Sequence, residues 1–274
     1  MKIDAHQHFW KFNPVRDAWI DDTMEVIRKD FLPKDLSPTL HENGMDGCIA
    51  VQADSSEEET AFLLDLADNN PEIKGVVGWV DLLAADVESR LDYFSKHPKL
   101  KGIRHIVQAE TDDFVLREDF QNGISKLEKF GLTYDLLVFP NQLENAIALV
   151  QKFPNQVFIL DHMAKPYIKD KKIKNWQRDI AQLAACKNVV CKLSGFVTEA
   201  DWKQWKERDF NLYFDVIFKA FGVDRILFGS DWPVCLLAAE YKKVLELVQN
   251  YSSQFPKEDL DKIMGGNAVA AYNI

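Results

Sequence analysis

Apolar residues along the chain fall into eight short segments, and stretches with helical periodicity separate most of them. The segments are rich in valine, isoleucine and leucine and cover residues 2–8, 46–52, 74–82, 100–107, 131–138, 156–162, 188–195 and 225–232. Helical periodicity runs over residues 57–69, 85–96, 120–130, 142–153, 174–186, 200–221 and 236–250. Apolar strands that alternate with amphipathic helices are typical of a parallel sheet covered by helices. Eight such units predict an α/β fold, a closed (β/α)8 TIM barrel.

The remaining segments fit one barrel domain over residues 1–274. The region 9–45 contains two tryptophans and three prolines, and it predicts a long loop with a short helix at 36–42. The tail 259–274 predicts a closing helix or two. No internal repeat, low-complexity stretch or linker divides the chain, so we expect a single domain.

Composition narrows the classes of function. The chain has 274 residues, of which 47% are hydrophobic and 28% are charged, as in an ordinary globular protein. Its formal net charge of −10 argues against nucleic acid or an anionic membrane as a partner, because both attract a basic surface. No apolar run approaches the roughly 20 residues that span a bilayer, and the first residues lead into a strand-like segment. We therefore expect a cytoplasmic protein.

Two groups of residues have plain structural interpretations. The basic run 169–174 is interpreted as the solvated start of a helix. The cysteines form no Cys-x-x-Cys pair and are expected to be reduced core residues, namely Cys48, Cys186, Cys191 and Cys235.

Polar and ionisable residues cluster at the predicted carboxyl ends of five strands, where a barrel places its active site. They are His6, His8, Arg104, His105, Asp161, His162, Lys192, Ser194, Ser230 and Asp231. The middles of the same strands are apolar, and a buried charge is costly unless it is paired or used. This clustering is the strongest functional signal in the sequence.

The strongest candidates are two paired histidines and one aspartate. His6 and His8 have the spacing that places two imidazoles on one face of a strand, ready to hold a metal or a substrate oxygen. Asp231 ends an apolar strand, where it would either cap the next helix or act as a functional carboxylate, and we favour the second role. His162 is favoured because it also ends a strand.

The remaining cations are less clear. Arg104 is a candidate for substrate binding, and Lys192 stays open between a site role and an ion pair with a neighbouring carboxylate. His105 stays open between a structural residue and a substrate contact. Isolated histidines such as His41 and His97 are expected at structural or surface positions.

Four short motifs together resemble the amidohydrolase superfamily. They are Asp4-Ala5-His6-Gln7-His8 on the first strand, Leu160-Asp161-His162-Met163-Ala164 on the sixth, Gly229-Ser230-Asp231-Trp232-Pro233 on the eighth, and Gly265-Gly266-Asn267-Ala268 beyond it. Residues 3–10 and 101–105 are similar, more narrowly, to its amidohydrolase-related branch of sugar-acid lactonases. The resemblance covers essentially the whole chain.

The resemblance implies hydrolysis of a sugar-acid lactone, such as an L-fucono- or L-rhamnonolactone, with Asp231 activating the attacking water. His6, His8 and His162 would surround the substrate carbonyl or a metal. A single Zn²⁺ held by His6, His8 and Asp231 suits these donors, and a metal-independent reaction is the alternative. Relatives with two metals carry a bridging lysine or glutamate at the end of the fourth strand, where this chain has Arg104, so a two-metal site is not expected.

Other candidates are assigned to the substrate. They are Arg104, His105, Lys192 and Ser194 for hydroxyl or carboxylate groups, and Trp10, Trp79 and Trp232 as flat faces for a sugar ring. One alternative is a hydrolase or decarboxylase that acts on an aromatic-derived lactone or carboxylate, of the muconolactone or pyrone type. Another is a sugar-binding barrel without catalysis. The expected partner is a small sugar lactone, and a homo-oligomeric state stays open.

Overall fold

The computed structural model describes residues 1–274 and confirms the predicted barrel. Eight parallel strands lie in one sheet in the order of the chain. They are β1 (Ile3–Gln7), β2 (Gly47–Val51), β3 (Ile73–Gly78), β4 (Leu100–His105), β5 (Thr133–Leu136), β6 (Phe158–Leu160), β7 (Val189–Leu193) and β8 (Ile226–Phe228).

Helices cover the outside of the sheet because each has an apolar stripe. In α4, for example, Phe120, Ile124 and Leu127 recur at helical spacing and are buried. The helices are α1 (Pro33–Glu42), α2 (Glu57–Asn69), α3 (Val87–Ser95), α4 (Glu118–Leu127), α5 (Leu143–Lys152), α6 (Lys174–Ala185), α7 (Arg208–Phe221), α8 (Tyr241–Ser252), α9 (Lys257–Asp261) and α10 (Asn267–Tyr272).

The barrel closes where the first and eighth strands meet. The residues that follow β8 continue beside β1, since the His8 N–H donates to the Trp232 carbonyl at 2.7 Å and the Asp231 N–H donates to the His6 carbonyl at 2.8 Å. Closure of the sheet therefore carries Asp231 to the edge at which the two histidines end β1.

Inward-facing aliphatic side chains fill the barrel interior. They form a small buried cluster of Ile3, Ala5, Ile49, Val51, Val77, Ile159 and Leu227. Helix α10 adds Ala268 and Tyr272 to this cluster, so it closes the end of the barrel opposite the site. The other faces of the strands pack against the helices in a larger core.

Two helices begin later than the periodicity predicts. Helix α7 begins at Arg208 rather than at 200, because the Asp201 carboxylate accepts a nearby backbone N–H and holds a turn in place of the first helical residues. Helix α8 begins at Tyr241 rather than at 236, and the Ala238 carbonyl before it accepts the indole N–H of Trp205.

Smaller expectations have mixed outcomes. The prediction for the basic run 169–174 is wrong in part, because residues 169–173 precede the helix and only Lys174 belongs to α6. All four cysteines are free, and only Cys186 is not fully buried. No helix has both the length and the apolar composition needed to cross a membrane.

The contact between Gly265 and the start of the chain gives a stability test. A Cβ at Gly265 would lie 2.1 Å from the Met1 carbonyl oxygen and 2.8 Å from the Ile3 nitrogen, and backbone atoms cannot move aside easily. We expect Gly265→Ala to lower the free energy of unfolding by about 1–3 kcal/mol. Gly266→Ala is the control, because its nearest neighbour would be 3.5 Å away. Equal melting temperatures for the two variants would contradict this expectation.

Candidate active site

His6 near the end of β1 and His8 just after it meet at the mouth of the barrel. The register between β1 and β2 shifts between Asp4 and Gln7, which pair with Cys48 and Ala50, so β1 carries one extra residue. A bulge of this kind changes the direction in which side chains point. The Nε2 atoms of His6 and His8 lie 3.2 Å apart, and both side chains are buried.

A backbone carbonyl fixes the direction of the His8 ring. Its Nδ1 lies 2.7 Å from the Val51 carbonyl oxygen, which can only accept a hydrogen bond. The proton of the neutral ring is therefore on Nδ1, and the Nε2 lone pair points toward His6 and toward the Asp231 carboxylate at 3.4 Å. Metal-binding histidines commonly have this arrangement, with the other ring nitrogen donating to a carbonyl or carboxylate.

Asp231 lies among three imidazoles. Its Oδ1 is 3.9 Å from Nε2 of both His6 and His162, as well as 3.4 Å from that of His8. Burial alone would raise the pKa of Asp231, but the neighbouring histidines outweigh it and hold the pKa well below its usual range. The backbone at Asp231 is left-handed, with φ of 60°, a conformation that the closure of the barrel holds in place.

Asp4 hydrogen-bonds to the ends of both strands that carry the site. Its carboxylate accepts the backbone N–H of Ser230 at 2.9 Å and the hydroxyl of Ser230 at 2.6 Å, and it also accepts the His6 N–H at 3.1 Å. All three residues are fully buried. Asp4 therefore fixes the backbone of both strand ends that carry the site.

An unusual turn presents His162. Residues 162–165 all have positive φ, so the chain turns sharply as it leaves β6. The Nδ1 of His162 lies 2.9 Å from the Ser194 hydroxyl, and a Cβ at Gly195 would come within 2.5 Å of the same nitrogen. Burial lowers the pKa of His162 to about 4, so the ring is neutral at pH 7.

Two groups of side chains have donor atoms close enough to share a metal. The first is His6, His8 and Asp231, and the second is His6, Asp161 and His162. Ligand atoms placed tetrahedrally about zinc lie about 3.3–3.4 Å apart for bonds of about 2.0–2.1 Å. In the first group the separations are 3.2, 3.4 and 3.9 Å. Two lone pairs and a carboxylate facing one another fit a single divalent cation between them.

The second group is already neutralised by the protein. Asp161 pairs with the Arg104 guanidinium at 3.0 Å and with the Lys192 ammonium at 2.9 Å. Burial alone would raise the pKa of Asp161, but these two cations and His6 hold it well below its usual range. Two fixed positive charges next to Asp161 oppose the binding of another cation.

Lys192 lies inside the barrel, away from any position where it could contact a substrate. Its ammonium contacts Asp135 at 2.5 Å, Asp161 at 2.9 Å and the His6 Nδ1 at 3.1 Å, and its side chain is fully buried. Of the two roles considered for Lys192, the structure shows the ion pair with neighbouring carboxylates. A lysine can replace its hydration shell only with several partners at once, and this position supplies them.

Several other expected substrate contacts are occupied by protein partners. Ser194 is fully buried against His162, and Arg104 donates to the Gln52 side chain and carbonyl as well as to Asp161. His105 accepts from the Trp79 indole at 3.3 Å, and its Nε2 lies 3.0 Å from Glu110. Trp79 and His105 are both half-buried, whereas Arg104 and Ser194 are buried.

The other two tryptophans form the wall behind the histidines. Trp10 is 2% exposed, and its indole donates to the Lys29 carbonyl at 2.9 Å. Trp232 is 5% exposed and packs edge-on against Phe9 and Phe31. Neither presents a broad exposed face, because the loop after β1 covers them, and their contact with a sugar ring stays a prediction.

A family model described as amidohydrolase matches residues 3–274. The chain belongs to the amidohydrolase family. It is 39% identical to an L-fucono-1,5-lactonase of Burkholderia multivorans, an alignment that covers 99% of this chain and 96% of the relative. An L-rhamnono-gamma-lactonase of Scheffersomyces stipitis is 24% identical over 64% of this chain and 59% of its own length.

Solved structures of amidohydrolases show the same fold. A crystal structure of an amidohydrolase from Burkholderia multivorans with bound zinc superposes with a TM-score of 0.97, at 39% identity, and covers 100% of this chain and 99% of that one. A probable 2-pyrone-4,6-dicarboxylic acid hydrolase from Acinetobacter baumannii gives a TM-score of 0.80 at 15% identity over 100% and 99% of the two chains. The second likeness concerns the fold alone.

Some buried polar residues around the site of this amidohydrolase were not predicted from its sequence. The most important is Asp135, in the middle of the apolar strand β5, and Gln52 and Tyr272 belong to the same set. An ionisable residue inside an apolar strand is itself a signal of pairing or function, and it could have indicated Asp135.

Glu59 stabilises the loop that follows β2. This loop comes directly after Val51, whose carbonyl contacts His8. Glu59 is buried near the start of α2 and accepts the Ala53 N–H at 2.9 Å. Burial raises the pKa of Glu59 from 4.5 to about 7, although Ala53 and the more distant Arg16 partly oppose this.

This raised pKa predicts a pH dependence of stability. Between pH 4.5 and about 7 the folded chain keeps a proton on Glu59 that the unfolded chain has lost, so the contribution to stability is lost as the pH rises. We expect Glu59→Gln to gain stability relative to the natural chain as the pH rises from 5 to 8, by up to about 3 kcal/mol. Urea unfolding of both proteins at several pH values measures the difference, and a difference that does not change with pH would contradict the assignment.

Proposed function

We propose that this amidohydrolase hydrolyses the ester bond of a sugar-acid lactone, in particular an L-fuconolactone or a close stereochemical relative. The observation that carries the proposal is the Asp231 carboxylate among His6, His8 and His162, in a chain that is 39% identical over nearly its whole length to an L-fucono-1,5-lactonase. The chain is accordingly a hydrolase of carboxylic ester bonds.

Asp231 is the proposed base. Its low pKa keeps it ionised, and it accepts a proton from water as the water attacks the lactone carbonyl. A lactone is more electrophilic than an amide, so a weak carboxylate base suffices. The same carboxyl group then returns the proton to the ring oxygen as the ring opens, which gives the hydroxy acid.

The histidines have different proposed tasks. The Ser194 hydroxyl can donate to Nδ1 of His162, which leaves a proton on Nε2 to stabilise the developing oxyanion. His8 cannot do this as a neutral ring, because Val51 takes its only proton. His8 is therefore proposed as a metal ligand together with His6 and Asp231. A zinc ion held there would act as a Lewis acid on the carbonyl or on water.

Charge at the mouth favours a neutral substrate. Arg104 and Lys192 are both paired with buried carboxylates, so neither offers a free positive charge to an anion. An aromatic carboxylate or pyrone dicarboxylate would need such a charge, and this alternative is not favoured. A sugar-binding barrel without catalysis is also not favoured, because binding needs no carboxylate among three imidazoles.

Other roles remain predictions. Trp79 is the proposed apolar face for the sugar ring, while Arg104, His105 and Ser194 are proposed to support the site through their protein contacts. A cytoplasmic location and the exclusion of nucleic acid and membrane as partners are predictions from the sequence alone, and the homo-oligomeric state stays open.

Asp231→Asn tests the proposed base. We expect the rate of lactone hydrolysis to fall by about 10²–10⁴-fold, because the amide cannot accept the proton. Acid release from a panel of aldonolactones in weak buffer with a pH indicator measures the rate. Asp92→Asn on the surface is the matched control and should keep full activity. A folded Asp231→Asn enzyme with normal turnover would overturn the assigned role.

Metal analysis tests the proposed ligands. We expect the purified chain to bind one zinc per molecule. Asp161 of the second donor group is already paired with two cations, whereas Asp231 of the first group lies among imidazoles. His8→Ala should lose that zinc while it retains the fold, and a chelator should abolish hydrolysis. Two tightly bound ions would contradict the neutralised second group, and hydrolysis that survives complete metal removal would exclude a required zinc.

A further inference from the structure

Helix α10 reaches the site from the opposite end of the barrel. Tyr272 is 2% exposed, and its ring packs among the aliphatic side chains of the interior. Its hydroxyl donates to Oδ2 of Asp135 at 2.7 Å, the one hydrogen bond that this hydroxyl makes. A helix outside the eight barrel units thus places a polar group on the barrel axis.

Asp135 links Tyr272 to Lys192. The same Oδ2 accepts the Lys192 ammonium at 2.5 Å, while Oδ1 accepts the Thr133 hydroxyl at 3.2 Å. Asp135 is fully buried and out of contact with bulk solvent. The strength with which Asp135 holds Lys192 therefore depends on the hydrogen bond from Tyr272.

Lys192 then contacts His6. Its ammonium lies 2.9 Å from Oδ1 of Asp161 and 3.1 Å from Nδ1 of His6, and the same Oδ1 lies 3.3 Å from that Nδ1. When His6 binds a metal through Nε2, its proton is on Nδ1 and is donated to Asp161, so Lys192 affects His6 by neutralising the carboxylate that accepts this proton. A tighter hold by Asp135 leaves less of the ammonium for Asp161.

We propose that Tyr272 is a positioning residue of the active site, which acts on His6 through Asp135 and Lys192. The inference rests on the proposed function only where lactone hydrolysis is measured, and zinc affinity tests it independently. The alternative is that Tyr272 merely fills the barrel. A phenylalanine would fill the same space, so the hydroxyl can be tested separately from the ring.

Tyr272→Phe is compared with Tyr251→Phe, whose hydroxyl bonds to Asp215 on the surface. Direct hydrogen-bond partners of metal ligands typically change affinity or activity by about 10–100-fold when lost, and Tyr272 acts through two intervening residues, so the lower limit of that range applies. We expect Tyr272→Phe to lower kcat at least about tenfold with KM within about twofold, and to weaken zinc binding about tenfold in competition with a chelating dye. Tyr251→Phe should match the natural chain in all three quantities. Both rates are referred to the concentration of folded chain, measured by near-ultraviolet circular dichroism.

Each result has a defined meaning. Unchanged kcat and zinc affinity in folded Tyr272→Phe would overturn the inference, as would equal losses in both variants. A second variant, Asp135→Asn, checks the route, because Tyr272→Phe should change zinc affinity less than about twofold in that background, and an undiminished effect there would contradict action through Asp135. If the natural chain hydrolyses no lactone, the proposed function fails and zinc affinity alone decides the role of Tyr272.

Discussion

The polar groups at the mouth of the barrel depend on a lysine buried between two aspartates. Lys192 contacts Asp135, Asp161 and His6, and all of these side chains are buried. A lone charge in this position would destabilise the fold, but with its partners it produces a polar layer beneath the proposed catalytic groups. Arg104 also pairs with Asp161, so two cations balance two carboxylates and the layer is close to neutral overall. The field from the interior is therefore small where a neutral lactone would bind.

Much of the architecture and part of the site can be predicted from the sequence. The eight apolar segments determine the barrel, and the short spacing of His6 and His8 determines that their imidazoles meet. Asp231 could be placed at the same mouth because parallel strands of a barrel all end on one side.

The rest depends on pairings that no local pattern encodes. Asp135 and Lys192 are 57 residues apart, and Asp135 and Tyr272 are 137 apart, so only the closed barrel reveals that they touch. The burial of Trp10 has a related cause, because the loop after β1 folds back and its Lys29 carbonyl accepts the indole N–H. The bulge in β1 likewise follows from pairing with β2 and leaves no mark in the composition of either strand.

The bond between Asp4 and Ser230 joins residues 226 positions apart, and it has a consequence for how the protein is made. During synthesis the two histidines emerge early, but the carboxylate of Asp231 follows only after all eight strands have been made. Chain closure over so long a loop is slow and occurs late. A partly synthesised chain therefore lacks one of the three proposed metal ligands, and the proposed site is complete only in the finished barrel.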